Sequence, residues 1–427
     1  MTRRPWAAGV LVCALLAACA GAGATGGDLD HIDGEIADHS DEAVAEVAAG
    51  FDALGFGLLD ALRADAEDEP NVVLSPLSAG AALSLVTAGA GDETAEELAR
   101  ALGIDPDAPA DGRVGALLLA LGETDDVDLT VANALWVLSD YPLTEEFRTA
   151  VGEAMGASLH SLDLADADEV AAIDEWVDER TNGLIEEITD GLGSVPGDAV
   201  MVLVNATHFA GDWVDAFDPS ATREGEFTRD DGSTVQAELM AHDAEDGAEV
   251  AVTADPDRGL ELARLPYGDE ADDDGGRFGF EVLVPTDDTP IAEALDDIGA
   301  EEWRELSEAA TVERDLRVVL PRFAVESAHD LSDPLSALGV SQAFSPDSDF
   351  TPMSPKDPWL GDVAQKAVIE VDETGTEAAA VTAAEARDSG PQVDEVVVDR
   401  SFAFAVRDTH TGAALFLGLV DDPTDAS

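Results

Sequence analysis

The chain has 427 residues, enough for two ordinary domains or one large one, and its 45% hydrophobic content excludes disorder along its whole length. Asp and Glu number 93 against 21 Lys and Arg, a formal charge of −72, so phosphates are repelled and nucleic acid is disfavoured as a partner.

Residues 1–19 read as an export signal. Arg3 and Arg4 precede the run WAAGVLVCALLAACA, which is too short and too rich in small residues for a membrane span. LAAC (16–19) resembles a lipobox, in which Cys19 is lipidated and becomes the new N-terminus, and TRRPW resembles a twin-arginine signal. An ordinary signal peptide cut nearby is the alternative. Cys13 lies in the removed part, so Cys19 stands alone and neither a disulfide nor a cysteine-based zinc site can form. Residues 20–42 are small and acidic, an expected flexible tether, and 43–427 form the folded part.

Residues 42–62 have helical spacing of their apolar side chains. NVVL (71–74) reads as a short strand, and Ser75 caps a helix whose first position is Pro76. Thr94 with Glu97 suggests a capping box, and Gly103 ends that helix. A further helical stretch covers 112–122. DLTVANALWVL (128–138) is a strand, 168–183 an amphipathic helix, and 198–213 a strand apolar on both faces, as a central strand is. FGFEVLVP, DLRVVLPRFAV and AQKAVIEV are read as further strands, and SFAFAV and AALFLGLV flank RDTHTG as a hairpin. Helices early and strands late, without an internal linker, indicate one large α+β domain.

The chemistry of an enzyme is missing. His31, His39, His160, His208, His242, His329 and His410 are scattered, and there is no H-E-x-x-H, G-x-S-x-G or P-loop. Carboxylate pairs carry no weight among 93 acids. No metal or cofactor is implied. The acids run from Asp28 to Asp425 instead of forming a tail. Such a chain repels itself in dilute buffer and is relieved at molar salt, where the Debye length is roughly 3 Å. The composition resembles that of proteins from extreme halophiles.

Four segments occur in order: NVVLSPLSAGAALSLVTAGAGDETAEELARALG, LVNATHFAGDWVDAFDPSATREGEF, VIEVDETGTEAAA and SFAFAVRDTHTGAALFLGLVDDP. Together they resemble the motifs of serpins, serine protease inhibitors that act by changing fold. The likeness spans 43–423. It implies a single domain with three β-sheets, eight or nine helices and an exposed reactive-centre loop at about 375–391. It also implies a monomeric suicide substrate for extracellular subtilisin-, elastase- or trypsin-like serine proteases, with no cofactor. A member without inhibitory action, serving for binding or storage, is the alternative.

By the same resemblance the loop hinge comprises Glu373, Gly375, Thr376, Glu377, Ala378, Ala379 and Ala380. Counting fourteen residues from Gly375 places the reactive bond at Ser389–Gly390; Arg387–Asp388 is the rival. Ser389 would suit elastase- or subtilisin-like proteases and Arg387 trypsin-like ones. Ser75, Ser78, Asn205 and Gln365 correspond to the polar shutter under the sheet, and Trp213 to the breach where the loop enters. Their bland readings are a helix cap, a satisfied buried amide and core packing. Gln365 stands where many serpins have a histidine, so the pH dependence of that histidine is expected to be missing. The helical stretch 112–122 has one arginine, a poor site for heparin-like polyanions.

The loop itself has the pattern an inserting strand needs. Thr376, Ala378, Ala380, Thr382 and Ala384 are small and uncharged, whereas Glu377 and Glu385 fall in the other set with Ala379, Val381 and Ala383. Alternate residues of a strand point to opposite faces, one to the core and one to water. Proline, which would break a ladder, is absent until Pro391. Gly375 is expected to supply unusual dihedrals at the turn into the sheet.

Overall fold

The computed structural model describes residues 39–65, 70–104, 112–122, 127–155, 158–162, 167–181, 183, 185, 188–189, 201–242, 248–268, 276–314, 316–356, 358–376 and 395–425. The lipobox Cys19, tether residues 20–38, and loop residues Glu377 to Ala380, Arg387, Asp388, Ser389 and Gly390 lie outside this set; Asp41 and Glu42, expected in the tether, already belong to the first helix.

In chain order the elements begin α1 (Asp41–Asp65), β1 (Asn71–Leu74), α2 (Pro76–Ala88), α3 (Asp92–Leu102), α4 (Arg113–Gly122) and β2 (Asp128–Leu138). Next come α5 (Glu145–Met155), β3 (Ser158–Leu162), α6 (Ala167–Arg180), β4 (Met201–Asp212), β5 (Arg223–Thr228) and β6 (Thr234–His242). The chain continues through β7 (Val250–Asp255), β8 (Leu260–Tyr267), β9 (Phe278–Pro285), α7 (Ile291–Ala294), α8 (Ala300–Ala309) and β10 (Thr311–Glu313). It closes with β11 (Arg317–Pro321), β12 (Phe323–Asp330), α9 (Ser332–Ala337), β13 (Leu360–Val371), β14 (Gly375–Thr376), β15 (Glu395–Val397), β16 (Phe402–Asp408) and β17 (Ala414–Val420).

The strands form three sheets: six strands in the order β12-β13-β14-β4-β2-β3, seven in the order β1-β17-β16-β9-β8-β7-β10, and four in the order β15-β11-β6-β5. The main core joins Leu203, Phe209 and Ile369 of the six-stranded sheet to Phe280, Phe404 and Leu417 of the seven-stranded one, with α1 and α2 against it. On the outer face of the six-stranded sheet, Ile173 and Val177 of α6 cover Val202, Val204, Ala206 and Ala364. This double cover explains why β4 reads as apolar on both faces.

Local rules account for several boundaries. The Ser75 hydroxyl accepts the Ser78 N–H (3.2 Å) at the start of α2, with Pro76 at the first helical position. Gly103 ends α3 in the left-handed region at φ 64°.

Two expectations are corrected. Thr94 and Glu97 do not form a capping box, because α3 already starts at Asp92 and its cap is Gly91. Instead Thr94 Oγ1 accepts from Asp349 N (2.9 Å) and Glu97 Oε2 from the amides of Ser341 and Gln342 (2.9 Å each). Both side chains hold the distant 341–349 segment. The stretch DLRVVLPRFAV is two strands in two sheets, β11 beside β6 and β12 beside β13. The crossing is at Arg322, next to Pro321, which has no N–H with which to continue a ladder.

Candidate functional site: the loop hinge and the sheet it enters

Strand β13 ends at Val371, and the chain turns back at once. Asp372 Oδ1 accepts the Thr374 amide (2.7 Å), the Thr374 hydroxyl (2.6 Å) and the Gly375 amide (3.2 Å), while Asp372 N donates to Gly375 O (2.9 Å). This aspartate-centred turn is of the kind Asp favours, because its short side chain bonds the backbone two residues on. The chain then runs antiparallel into the six-stranded sheet as β14, with Thr376 opposite Val371 on one side and Gly211 on the other. Gly375 stands opposite Asp212.

The expected reason for Gly375 is revised. It is not among the residues with positive φ. A Cβ there would collide with the carbonyl oxygen of Gly211 and lie 2.8 Å from Cα of Asp212. Close approach of two backbones, not unusual dihedrals, demands glycine.

Below this wedge the slot is shut. Strands β13 and β4 pair directly and in parallel, from Leu360↔Met201 to Ala367↔Thr207. Only the upper end of the sheet is open, and β14 fills it.

Trp213 sits where β14 enters the sheet. Its amide donates to Thr374 O and its indole N–H to Asp372 O, both at 2.8 Å. The ring stacks on Tyr267, centroids 4.4 Å apart and planes 12° apart. Tyr267 also bonds Thr376, hydroxyl to hydroxyl, at 2.6 Å. Burial pushes the Tyr267 phenol above its ordinary pKa, while the Thr376 bond works against that rise, so the hydroxyl keeps its proton. Glu373 completes the clasp: Phe217 N donates to its carbonyl (2.8 Å), Thr222 Oγ1 donates to Oε1 (2.6 Å), and Arg322 lies 3.5 Å from Oε2.

The residues read from the resemblance as a shutter also meet one another. The Ser75 amide donates to Gln365 Oε1, and Gln365 Nε2 donates to Ser75 O and Asn205 Oδ1, each at 3.0 Å. Asn205 Nδ2 reaches Asn133 Oδ1 (2.7 Å), and the Thr207 hydroxyl donates to Ser75 Oγ (3.3 Å). Ser78 joins through its amide alone. The amide cluster therefore spans β13, β4 and β2 and ties them to the start of α2. The side chains of Gln365 and Asn205 are tolerable there because each is bonded, whereas the buried Ser78 hydroxyl has no partner among the described residues.

Asn133 and Thr207 were not singled out in the sequence. Thr207 lies two positions from Asn205 on the same strand face, and Asn133 interrupts an apolar strand, so both carried a signal. His329, on β12, is opposite Gln365 in the strand register and bonds Val73 O through Nε2 (3.1 Å). A buried histidine thus stands one strand away from the position where the sequence reading expected none to act.

Among the described residues, no three His, Cys, Asp or Glu side chains gather as a metal site. The geometry is that of a sheet holding the first residues of a returning loop.

Comparison with known proteins agrees. Residues 49–423 match the family model "Serpin (serine protease inhibitor)". Serpin-ZXA of Oryza sativa subsp. japonica is 34% identical over 368 residues, covering 83% of this chain and 90% of that protein. Neuroserpin of Gallus gallus is 31% identical, covering 90% and 92% respectively. The native-state crystal structure of the thermophilic serpin tengpin superposes with a TM-score of 0.79 at 25% identity, over 93% of this chain and 99% of that one. Thyroxine-binding globulin in complex with thyroxine shares the fold at a TM-score of 0.78 and 23% identity, over 88% and 99%. With its three sheets, nine helices among the described residues, and a returning strand seated in the central sheet, the chain belongs to the serpin family, many of whose members inhibit serine proteases rather than acting as enzymes.

Proposed function

We propose that this serpin is inhibitory: a serine protease cleaves the loop at Ser389–Gly390, or at Arg387–Asp388, and is trapped as the acyl-enzyme while the freed loop inserts into the six-stranded sheet. The observation that carries this reading is the register of β14. Continued downward from Thr376 in the proposed inserted state, it would put Ala378 between Phe209 and Ile369, Ala380 between Thr207 and Ala367, Thr382 between Asn205 and Gln365, and Ala384 between Leu203 and Val363. All these flanking residues are buried. The small, neutral set of loop residues would then meet the core face, as packing at close-packed density requires. Thr382 arrives at the amide cluster, where its hydroxyl can replace the Gln365–Asn205 bond that insertion must break.

The other set does not simply face water. Val381 and Ala383 would come beside Ala206 and Val204, which α6 covers, and only the ends, Glu377 and Glu385, are charged. Insertion exchanges one parallel ladder for two antiparallel ones. The net gain of about one ladder, at roughly 0.5–1.5 kcal/mol per bond, amounts to about 5–15 kcal/mol. That is comparable with the whole stability of an ordinary domain, enough to distort a protease joined to the loop's end.

Export, with lipid attachment at Cys19, completes the proposal: a monomer held outside the cell, meeting proteases of the medium. The test is incubation with subtilisin and with trypsin at molar KCl, followed by denaturing gels and mass spectrometry. A denaturant-stable adduct is expected, and its mass fixes the cut. Clean cleavage without adduct overturns the inhibitory reading and favours a carrier role, as thyroxine-binding globulin in complex with thyroxine exemplifies for this fold.

A further inference from the structure

We propose that Tyr267 is a positioning residue for loop insertion: its hydroxyl holds Thr376 seated between β13 and β4 before the cut. The inference rests on the inhibitory reading and goes beyond it, since neither the loop pattern nor the shutter requires this contact.

Tyr267 is fixed on all sides but one. It is 2% exposed and stands at the end of β8. Its ring lies between the stacked Trp213 and an edge contact with Phe209 (5.0 Å, 66°). Flanking backbone bonds pin it to the end of β4: Val214 N to Pro266 O (3.0 Å) and Gly268 N to Asp212 O (2.9 Å). Gly211 passes so close that a Cβ there would lie 3.1 Å from the tyrosine ring. The phenol oxygen thus has a set position in the floor of the slot. Thr376, 3% exposed, is the group on the moving segment that meets it.

Starting a ladder is the slow step, because several dihedrals must be fixed before the compensating bonds form. Here the turn at Asp372 and the first two ladder residues are in place beforehand. After cleavage the loop only extends an existing strand. In the trapping reaction, extension competes with hydrolysis of the acyl-enzyme. A seated hinge therefore shifts the outcome toward trapping without touching the cleavage chemistry.

Tyr267→Phe keeps the ring and its stack and deletes the hydroxyl; Thr376→Val keeps the shape of Thr376, and Thr376→Ser keeps its hydroxyl. The readout is the number of inhibitor molecules consumed per subtilisin molecule trapped, measured at molar KCl beside the rate of loop cleavage. Tyr267→Phe and Thr376→Val are each expected to raise consumption roughly 2- to 10-fold, the effect of one hydrogen bond. Cleavage rates stay within about twofold, the double variant is no worse than either single one, and Thr376→Ser behaves as wild type. Hydrogen exchange of the 371–376 amides in the uncut protein rises in Tyr267→Phe and Thr376→Val. Unchanged consumption in both variants, with adduct still formed by the wild type, overturns this inference alone. Additive losses in the double variant overturn it too, since two partners of one bond cannot be lost twice. Absence of adduct from the wild type overturns the inhibitory reading itself, and this inference with it.

Discussion

Asp362, on β13 opposite Val202, has one carboxylate oxygen buried without a hydrogen-bond partner. Burial raises its pKa above the ordinary carboxylate value, and the nearby Asp330 charge adds to the effect. A raised acid favours folding while protonated, so this contribution is present below about pH 3.9 and is lost as pH climbs through the raised value. Asp362→Asn is therefore expected to raise Tm near pH 7 by roughly 1–2 °C, a figure discounted for the solvent-facing part of the group. The gain should vanish when melting is repeated at about pH 3.5; equal gains at both pH values would refute the assignment. Residues of this scale were unequally legible. Ser75, Asn205 and Gln365 announced themselves as polar residues in apolar runs. Asn133 needed the cross-strand register to gain meaning, because its partner is 72 positions away. Tyr267 could not be found from sequence at all: its partner arrives only when the chain doubles back after Asp372.

At the scale of elements, the junction of β13, β14 and β4 governs behaviour. If the loop inserts as proposed, continuing their pairing would bring position 380 between Thr207 and Ala367, both buried. Ala380→Arg would bring a guanidinium into that gap with no acid on the core face to meet it. The expected result is loss of the denaturant-stable adduct and of the rise in Tm that follows nicking, with the loop still cleaved. An adduct at wild-type yield would show that insertion does not follow this register. The elements themselves were largely readable from period and caps, with two instructive failures. Thr94 and Glu97 fit a local capping pattern but serve contacts some 250 residues away, as the Asp349–Thr94 bond shows. The β11–β12 break was hidden because apolar alternation is the same in either sheet, and burial patterns do not say which neighbour a strand has.

For the whole molecule, charge dominates. Of its few cations, Arg407 is committed to the interior, between Asp52 (2.6 Å) and Glu281 (3.2 Å). Others, such as Arg322 beside Glu238 and Glu373 or Lys366 beside Glu326, pair with acids at the sheet. Most of the net charge of −72 is therefore uncompensated by neighbours. Its repulsion acts over about 10 Å at 0.1 M salt and over about 3 Å at 1 M. Raising KCl from about 0.1 M to 2 M should accordingly raise Tm by roughly 10 °C or more, and dilution should unfold the protein reversibly at low concentration. A melting temperature indifferent to salt would contradict this account.

The far end of the reactive segment has its own mooring. Strand β15 runs parallel to β11, with Val396 and Val398 fully buried and Arg317 bonded to Glu395 at 3.0 Å. The near end is gripped by Arg322, which follows β11 directly in the chain. Both attachments thus refer to one stiff stretch of backbone. An intact segment cannot travel down the slot while each end is fastened to that same bar. If the cut loop inserts as proposed, peeling β15 away would let the uncut chain relax in the same way, with no protease caught.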